Sequence, residues 1–158
     1  ISARDLEILR FPRDSLTKGI SGLFYGDYYR WDPTDHTRFI KQLGWCSLEN
    51  PPAGSSSADE NCDMEFIDIR EHIKYLKFGY GRATDQLNIE IRSGQITRED
   101  ALQKVRSLDG RVSEESIKRF CEYVNINRNY FDILIDRFVN KNLFVKTNNT
   151  WILKNDRY

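Results

Sequence analysis

The sequence predicts a mostly α-helical protein: a bundle of short helices closed by a small C-terminal β-hairpin, with a winged-helix-like tail as one form of that ending. Three observations carry this. Between Trp31 and Val139 the apolar residues recur at three- and four-residue steps rather than at every second position. Each run has its own start and stop residues, with Asp, Ser, Thr or Asn before it and often Gly after it. The last stretch, "NLFVKTNNTWILK", instead alternates around Asn148-Asn149, as a two-stranded hairpin does.

Ile1 to Trp31 is irregular. Pro12, Gly19, Gly22 and Gly26 interrupt an aromatic cluster of Phe24, Tyr25, Tyr28, Tyr29 and Trp31, which reads as loop with one short strand near "GLFYGDYY". A helix opens in "WDPTDHTRFIKQLGW", where Asp32 caps, Pro33 takes the first helical position and Gly44 closes the end. Its apolar face is Phe39, Ile40 and Leu43. The stretch "SLENPPAGSSSADEN" has no apolar periodicity and is the best internal boundary, an ordered surface loop or a mobile linker. Mobility is expected over 49–60, because so little there is apolar enough to bury.

Asp63 is expected to cap a helix from Met64 to Phe78, with Phe66, Ile69, Ile73 and Leu76 on one face and Gly79 and Gly81 ending it. Four more helices follow: Thr84 to Ser93 closed by Gly94, Arg98 to Leu108 closed by Gly110, Glu114 to Val124, and Arg128 to Val139. Thr97 with Asp100, Ser113 and Asn127 supply the caps of the last three. The chain divides into residues 1–48, a loop or linker at 49–62, and a helical domain at 63–158 that ends in the hairpin.

At 158 residues the chain buries a core of its own without staples. Its 24 basic and 24 acidic residues cancel, so no overall field draws it to nucleic acid or a membrane surface. Cys46, Cys62 and Cys121 are odd in number and widely spaced, which argues against a disulfide framework and places the protein in the reducing cytoplasm. No apolar run reaches the ~20 residues of a membrane helix. The chain opens at Ile1 without an initiator methionine, as a piece of a longer protein would.

Candidate chemistry is sparse. Gly54-Ser55-Ser56-Ser57 has phosphate-loop composition but is flanked by prolines and charges, so it reads as linker. His36, His72, Cys46 and Cys62 lack metal-ligand spacing, and no metal is expected. Cys62, just before a predicted helix, is either an activated thiol or a small buried apolar residue, and the second is favoured. Arg128, Arg137, Lys141 and Lys146 suit phosphate contacts, but Asp132 and Asp136 dilute them, so the tail reads as a packing module rather than a DNA reader.

The candidate binding set is Lys77, Arg82, Asp85, Arg92 and Arg98. These residues sit at the ends of short helices whose turns are pinned by Gly79, Gly81 and Gly94. Guanidinium groups on rigid turns suit bidentate contact with phosphate or carboxylate. Ordinary helix-end bridges with Asp85, Glu90, Glu99 and Asp100 explain the same pattern equally well.

The blocks "GDYYRWD", "LGW", "LKFGYGRATDQ" and "IEIRSGQITREDAL", in that order between Leu23 and Leu102, resemble the C-terminal half of the N-acetyl sugar amidotransferase family. Members resemble PP-loop ATP pyrophosphatases. The resemblance implies ATP with Mg as cofactors of the full-length parent, a nucleotide-activated N-acetyl sugar as substrate, and a glutaminase partner supplying ammonia. The reaction would convert an acetamido group to an acetamidino group on sugars of lipopolysaccharide or flagellin. The family's Ser-Gly-Gly-x-Asp-Ser nucleotide loop is absent here, so the chain is expected to be the substrate-side and assembly region, inactive alone and without a cofactor or catalytic residue of its own. Trp31 and Asp32 would then mark the exit from the missing nucleotide-binding domain, and the glycine turn would present Lys77 and Arg82 to an anionic nucleotide-sugar. Two other readings stay open: a winged-helix-like module that binds nucleic acid or protein, and a helical domain whose apolar faces form a homodimer.

Overall fold

The computed structural model describes Gly19 and residues 21–154. Two compact units divide between Trp31 and Asp32. In the first, the stretch expected as a strand is a 3₁₀ turn over Tyr25–Asp27. The rings of Tyr25 and Tyr29 stack across it at 4.7 Å, a spacing of four residues that suits a helical turn and not a pleat.

The second unit holds six helices and a hairpin: α1 (Pro33–Gln42), α2 (Ile67–Phe78), α3 (Arg82–Arg92), α4 (Arg98–Leu108), α5 (Glu114–Val124), α6 (Arg128–Phe138), β1 (Phe144–Thr147) and β2 (Thr150–Leu153). The caps of α1, α4, α5 and α6 are those the sequence predicts. Asp32 accepts from the Thr34 amide at 3.0 Å, and Thr97, Ser113 and Asn127 each accept from the amide three residues on. The strands pair antiparallel, Thr147 opposite Thr150, around Asn148 and Asn149 with φ of +48° and +64°. Both values lie in the left-handed region that two-residue hairpin turns require and asparagine tolerates.

Helix α2 starts three residues later than predicted, and its N-cap residue, Phe66, makes no side-chain cap bond. Asp63 is exposed in a turn, whereas Asp68, buried, accepts from the Ile69 amide at 2.9 Å and from the Ser113 amide at 3.0 Å. That carboxylate ties the first turn of α2 to Ser113, the N-cap residue of α5.

Two cores form. The larger joins α2, α5, α6 and β1 through Ile69, Leu76, Ile117, Cys121, Phe131, Ile135 and Phe144, with Phe120 edge-on to Phe131 at 6.0 Å. Burying each large side chain there contributes about 1.5–3 kcal/mol. The smaller core lies between α3 and α4, where Ala83 and Ala101 let the two helices approach around Leu87 and Val105. Helix α1 departs from expectation: Phe39 and Leu43 of its apolar face are 62% and 73% exposed. Cys62 is also exposed, not buried as favoured from the sequence.

Candidate functional site

The proline- and serine-rich stretch expected to be mobile is fastened to α3 by polar contacts, which apolar counting does not register. Gln86 lies on the buried stripe of α3 with Ala83 and Leu87, and its amide spends every bond on this loop. Its Oε1 accepts from the Ser56 amide at 2.8 Å and from the Ser56 hydroxyl at 3.0 Å. Its Nε2 donates to Ser55 Oγ and to Glu60 Oε2, both at 2.9 Å. A buried amide must be satisfied, and here the loop satisfies it. Gly54, at φ +81°, completes the seam: its carbonyl accepts from the Ala83 amide at 3.1 Å, and a Cβ would meet the Arg111 carbonyl oxygen at 3.0 Å. Arg82 and Glu60 form a half-buried ion pair beside it.

Helix α1 is tied in from the other side. Gln95, just past α3, donates to the Asp32 carboxylate at 3.4 Å and accepts from the Thr34 hydroxyl at 3.1 Å. Lys41 reaches Asp59 of the loop at 3.2 Å. Between α1, the loop and α3 lies an open cleft of about 630 Å³. Arg38 and Lys41, one turn apart on α1, line one wall, while Ser56, Ser57 and Glu90 face the same space. Among the described residues Arg38 is held by an exposed pair with Asp35 at 2.9 Å, which is weak and leaves its guanidinium recruitable. The Glu90 carboxylate has no partner among the described residues. Two cations beside hydroxyls and the carboxylates of Asp59, Glu60 and Glu90 suit a ligand that is anionic at one end and rich in hydroxyls at the other.

The family model for the LPS biosynthesis protein WbpG-like, C-terminal domain, matches residues 34–156. The chain belongs to this family. The matched span runs from the first turn of α1 past the hairpin, so all the cleft residues named above lie within the WbpG-like domain. A search of curated proteins gives no match. Among the described residues of the domain, no helix is long and apolar enough to cross a membrane.

The five candidate residues of the WbpG-like domain do not converge. Arg82 adjoins the cleft through Glu60. Asp85 pairs with Lys74, which also lies 3.4 Å from the buried carboxylate of Glu71. Lys77 packs its ammonium 5.6 Å from the centre of the Phe78 ring and 5.9 Å from that of Phe138. Arg92 donates to the Asn88 carbonyl of its own helix at 3.2 Å, and Arg98 is exposed at the start of α4. The glycines serve packing: Gly79 ends α2 at φ +80°, and a Cβ on Gly81 would lie 2.8 Å from Asp109 Oδ1.

Arg38, Lys41, Glu90, Gln86 and Gln95 of the cleft were not singled out by sequence, and Ser56 and Ser57, weighed there as a phosphate loop, were read as linker. One signal was available: a glutamine on the apolar stripe of α3 needs a buried polar partner, and the nearest polar-rich segment is the serine run.

Proposed function

We propose that this domain is the substrate-side and assembly region of an ATP-dependent N-acetyl sugar amidotransferase of lipopolysaccharide biosynthesis, and that the cleft between α1 and α3 takes the nucleotide-activated sugar. The observation that carries the reading is the cleft itself, with Arg38 and Lys41 on one wall and Ser57 and Glu90 across from them. Arg38 and Lys41 hold the phosphates, and the hydroxyl and carboxylate groups opposite accept and donate to the sugar. Arg82 acts at one remove by holding Glu60, and through Gln86 the loop that bears the serines. Membership of a lipopolysaccharide-biosynthesis family supports a sugar substrate.

An amide oxygen leaves only once it has been converted to a phosphate ester, and that is the chemistry ATP with Mg²⁺ supplies when bound. The residues of this chain do not fit the nucleotide. No Ser-Gly-Gly-x-Asp-Ser loop occurs in the sequence, and the serine run spends the Ser56 amide on Gln86 rather than presenting a nest of free amides. In this reading the domain binds and orients the acetamido sugar, while ATP is held by another part of the parent and ammonia comes from a glutaminase partner.

Titrating the ¹⁵N-labelled chain with UDP-N-acetylglucosamine tests the binding step. Saturable shifts at Lys41, Ser56 and Glu90 are expected, with affinity at least about tenfold weaker in Arg38→Ala/Lys41→Ala. Unshifted signals at those residues, or unchanged affinity in the double variant, would reject the cleft. Amidination by the full-length parent, followed by mass spectrometry of the sugar, tests the reaction.

A further inference from the structure

A second cleft, of about 590 Å³, opens where α2, α6 and the hairpin meet. Its charges are spent on one another. Lys146 Nζ lies 2.6 Å from Asp136 Oδ2, and Arg128 Nε lies 2.9 Å from Asp132 Oδ1. Arg128 also pairs with Glu114 outside the cleft. These pairs are partly exposed and individually weak, but the two carboxylates balance the two cations of the lining, so no net charge draws a phosphate here.

The unspent hydrogen-bonding capacity is neutral. The side-chain amides of Asn129 and Asn149 and the hydroxyl of Thr150 line the cleft and have no partner among the described residues. His72 uses Nδ1 on the Gly110 carbonyl at 2.6 Å, which makes that nitrogen the donor of a neutral ring and leaves Nε2 as an acceptor. Trp151 adds an aromatic wall whose orientation is fixed, because its Nε1 donates to Asp136 Oδ1 at 2.8 Å and Lys146 Nζ lies over its ring, 5.3 Å from the centre. Amides and a hydroxyl that both donate and accept, set beside an aromatic ring, match a ligand with ring hydroxyls and an apolar C–H face.

We propose that this cleft is a second binding site, separate from the one between α1 and α3, and that it takes an uncharged sugar ring. Asn129 and Asn149 bind the hydroxyls, and the Trp151 ring flanks the sugar.

The experiment is an NMR titration of the ¹⁵N-labelled chain with N-acetylglucosamine and with glucose, using inorganic phosphate as the anionic control. A sugar should shift the Trp151 indole N–H and the Asn129 and Asn149 side-chain amides saturably, and phosphate should leave them in place. Asn149→Gly removes one amide while keeping the turn, since glycine adopts positive φ freely. It should weaken sugar binding about five- to tenfold in a chain that melts like the wild type. Asn129→Ala should do the same from the helix side. The proposal is overturned if neither sugar moves these signals, if phosphate moves them in place of sugar, or if folded Asn149→Gly and Asn129→Ala both bind as before. Failure here leaves the α1–α3 cleft untouched, because UDP-N-acetylglucosamine is read there at Lys41, Ser56 and Glu90.

Discussion

Asp109 caps helix α3 from the far end of α4, accepting from the Thr84 amide at 3.2 Å and from the Thr84 hydroxyl at 2.5 Å across 25 positions of sequence. The Gly81 amide adds a third bond at 2.8 Å. No side chain at the N-cap position itself does this work, since that residue is Gly81. Removing the carboxylate therefore strips a helix start of its acceptor. Asp109→Ala should cost about 1–2 kcal/mol in urea unfolding followed by circular dichroism. Asp109→Asn should fall between the two, since it keeps acceptor geometry but not the charge. A loss no larger than that of the exposed control Glu99→Ala would remove Asp109 from the capping role.

Gly94 and Gly110 offer a matched pair. Both have positive φ, +72° and +78°, but a Cβ at Gly94 meets open space whereas one at Gly110 lies 2.5 Å from the Tyr75 ring. Gly94→Ala should cost only the backbone term, about 1 kcal/mol. Gly110→Ala adds a steric clash and should exceed it by about 1–3 kcal/mol. Equal melting temperatures for the two variants would mean that the ring moves aside freely.

His72 gives the domain an acid-sensitive contact. Burial holds its pKa below the ordinary value, against the smaller opposing pulls of the Gly110 carbonyl and the Asp68 charge. The unfolded chain takes up the proton first as pH falls, so the contribution of His72 is complete above about 6.5 and declines below it, toward the depressed folded pKa. His72→Gln should flatten that limb of the pH–stability curve. If wild type and variant lose stability in parallel between pH 7.5 and 5.5, another group controls the limb.

Gln86→Leu tests the loop seam. Leucine suits the buried stripe of α3 but leaves the Ser56 amide without its acceptor and the Glu60 carboxylate with Arg82 alone among the described residues. The global cost should be about 1–3 kcal/mol. Cleavage by a glutamate-specific protease at Glu49 and Glu60 should rise far more than cleavage at Glu122 on α5. Uniform acceleration at all three sites would indicate general unfolding instead.

The helices were legible because their periodicity and caps are local. Thr97, Ser113 and Asn127 act within three residues of themselves, and Ile69 and Leu76, on the apolar face the sequence predicts for α2, are buried in the larger core. The features that sequence missed depend on distant partners. Asp63 does not cap α2, and Asp68 of its first turn reaches Ser113 instead, while the serine run is held because Gln86 lies across from it, 30 positions away. The cleft was hidden for the same reason: Arg38 and Glu90 share it only after Gln95 has tied α1 to the end of α3. The resemblance to sugar amidotransferases pointed to lipopolysaccharide biosynthesis through whole blocks of residues, which carry more than any one side chain in them.

The smaller core of Ala83, Leu87, Ala101 and Val105 belongs to α3 and α4 alone, and the Asp109 carboxylate joins the beginning of one helix to the end of the other. Neither helix keeps its terminus when the other melts. In native-state hydrogen exchange the pair would behave as one foldon, its amides sharing a single opening free energy below that of the α2–α5–α6 core. The Gln86 wall of the α1–α3 cleft is built on that foldon. A ligand bound there would raise the opening energy of α3 and α4 together, so slower exchange in α4, a helix that does not line the cleft, becomes a remote gauge of its occupancy.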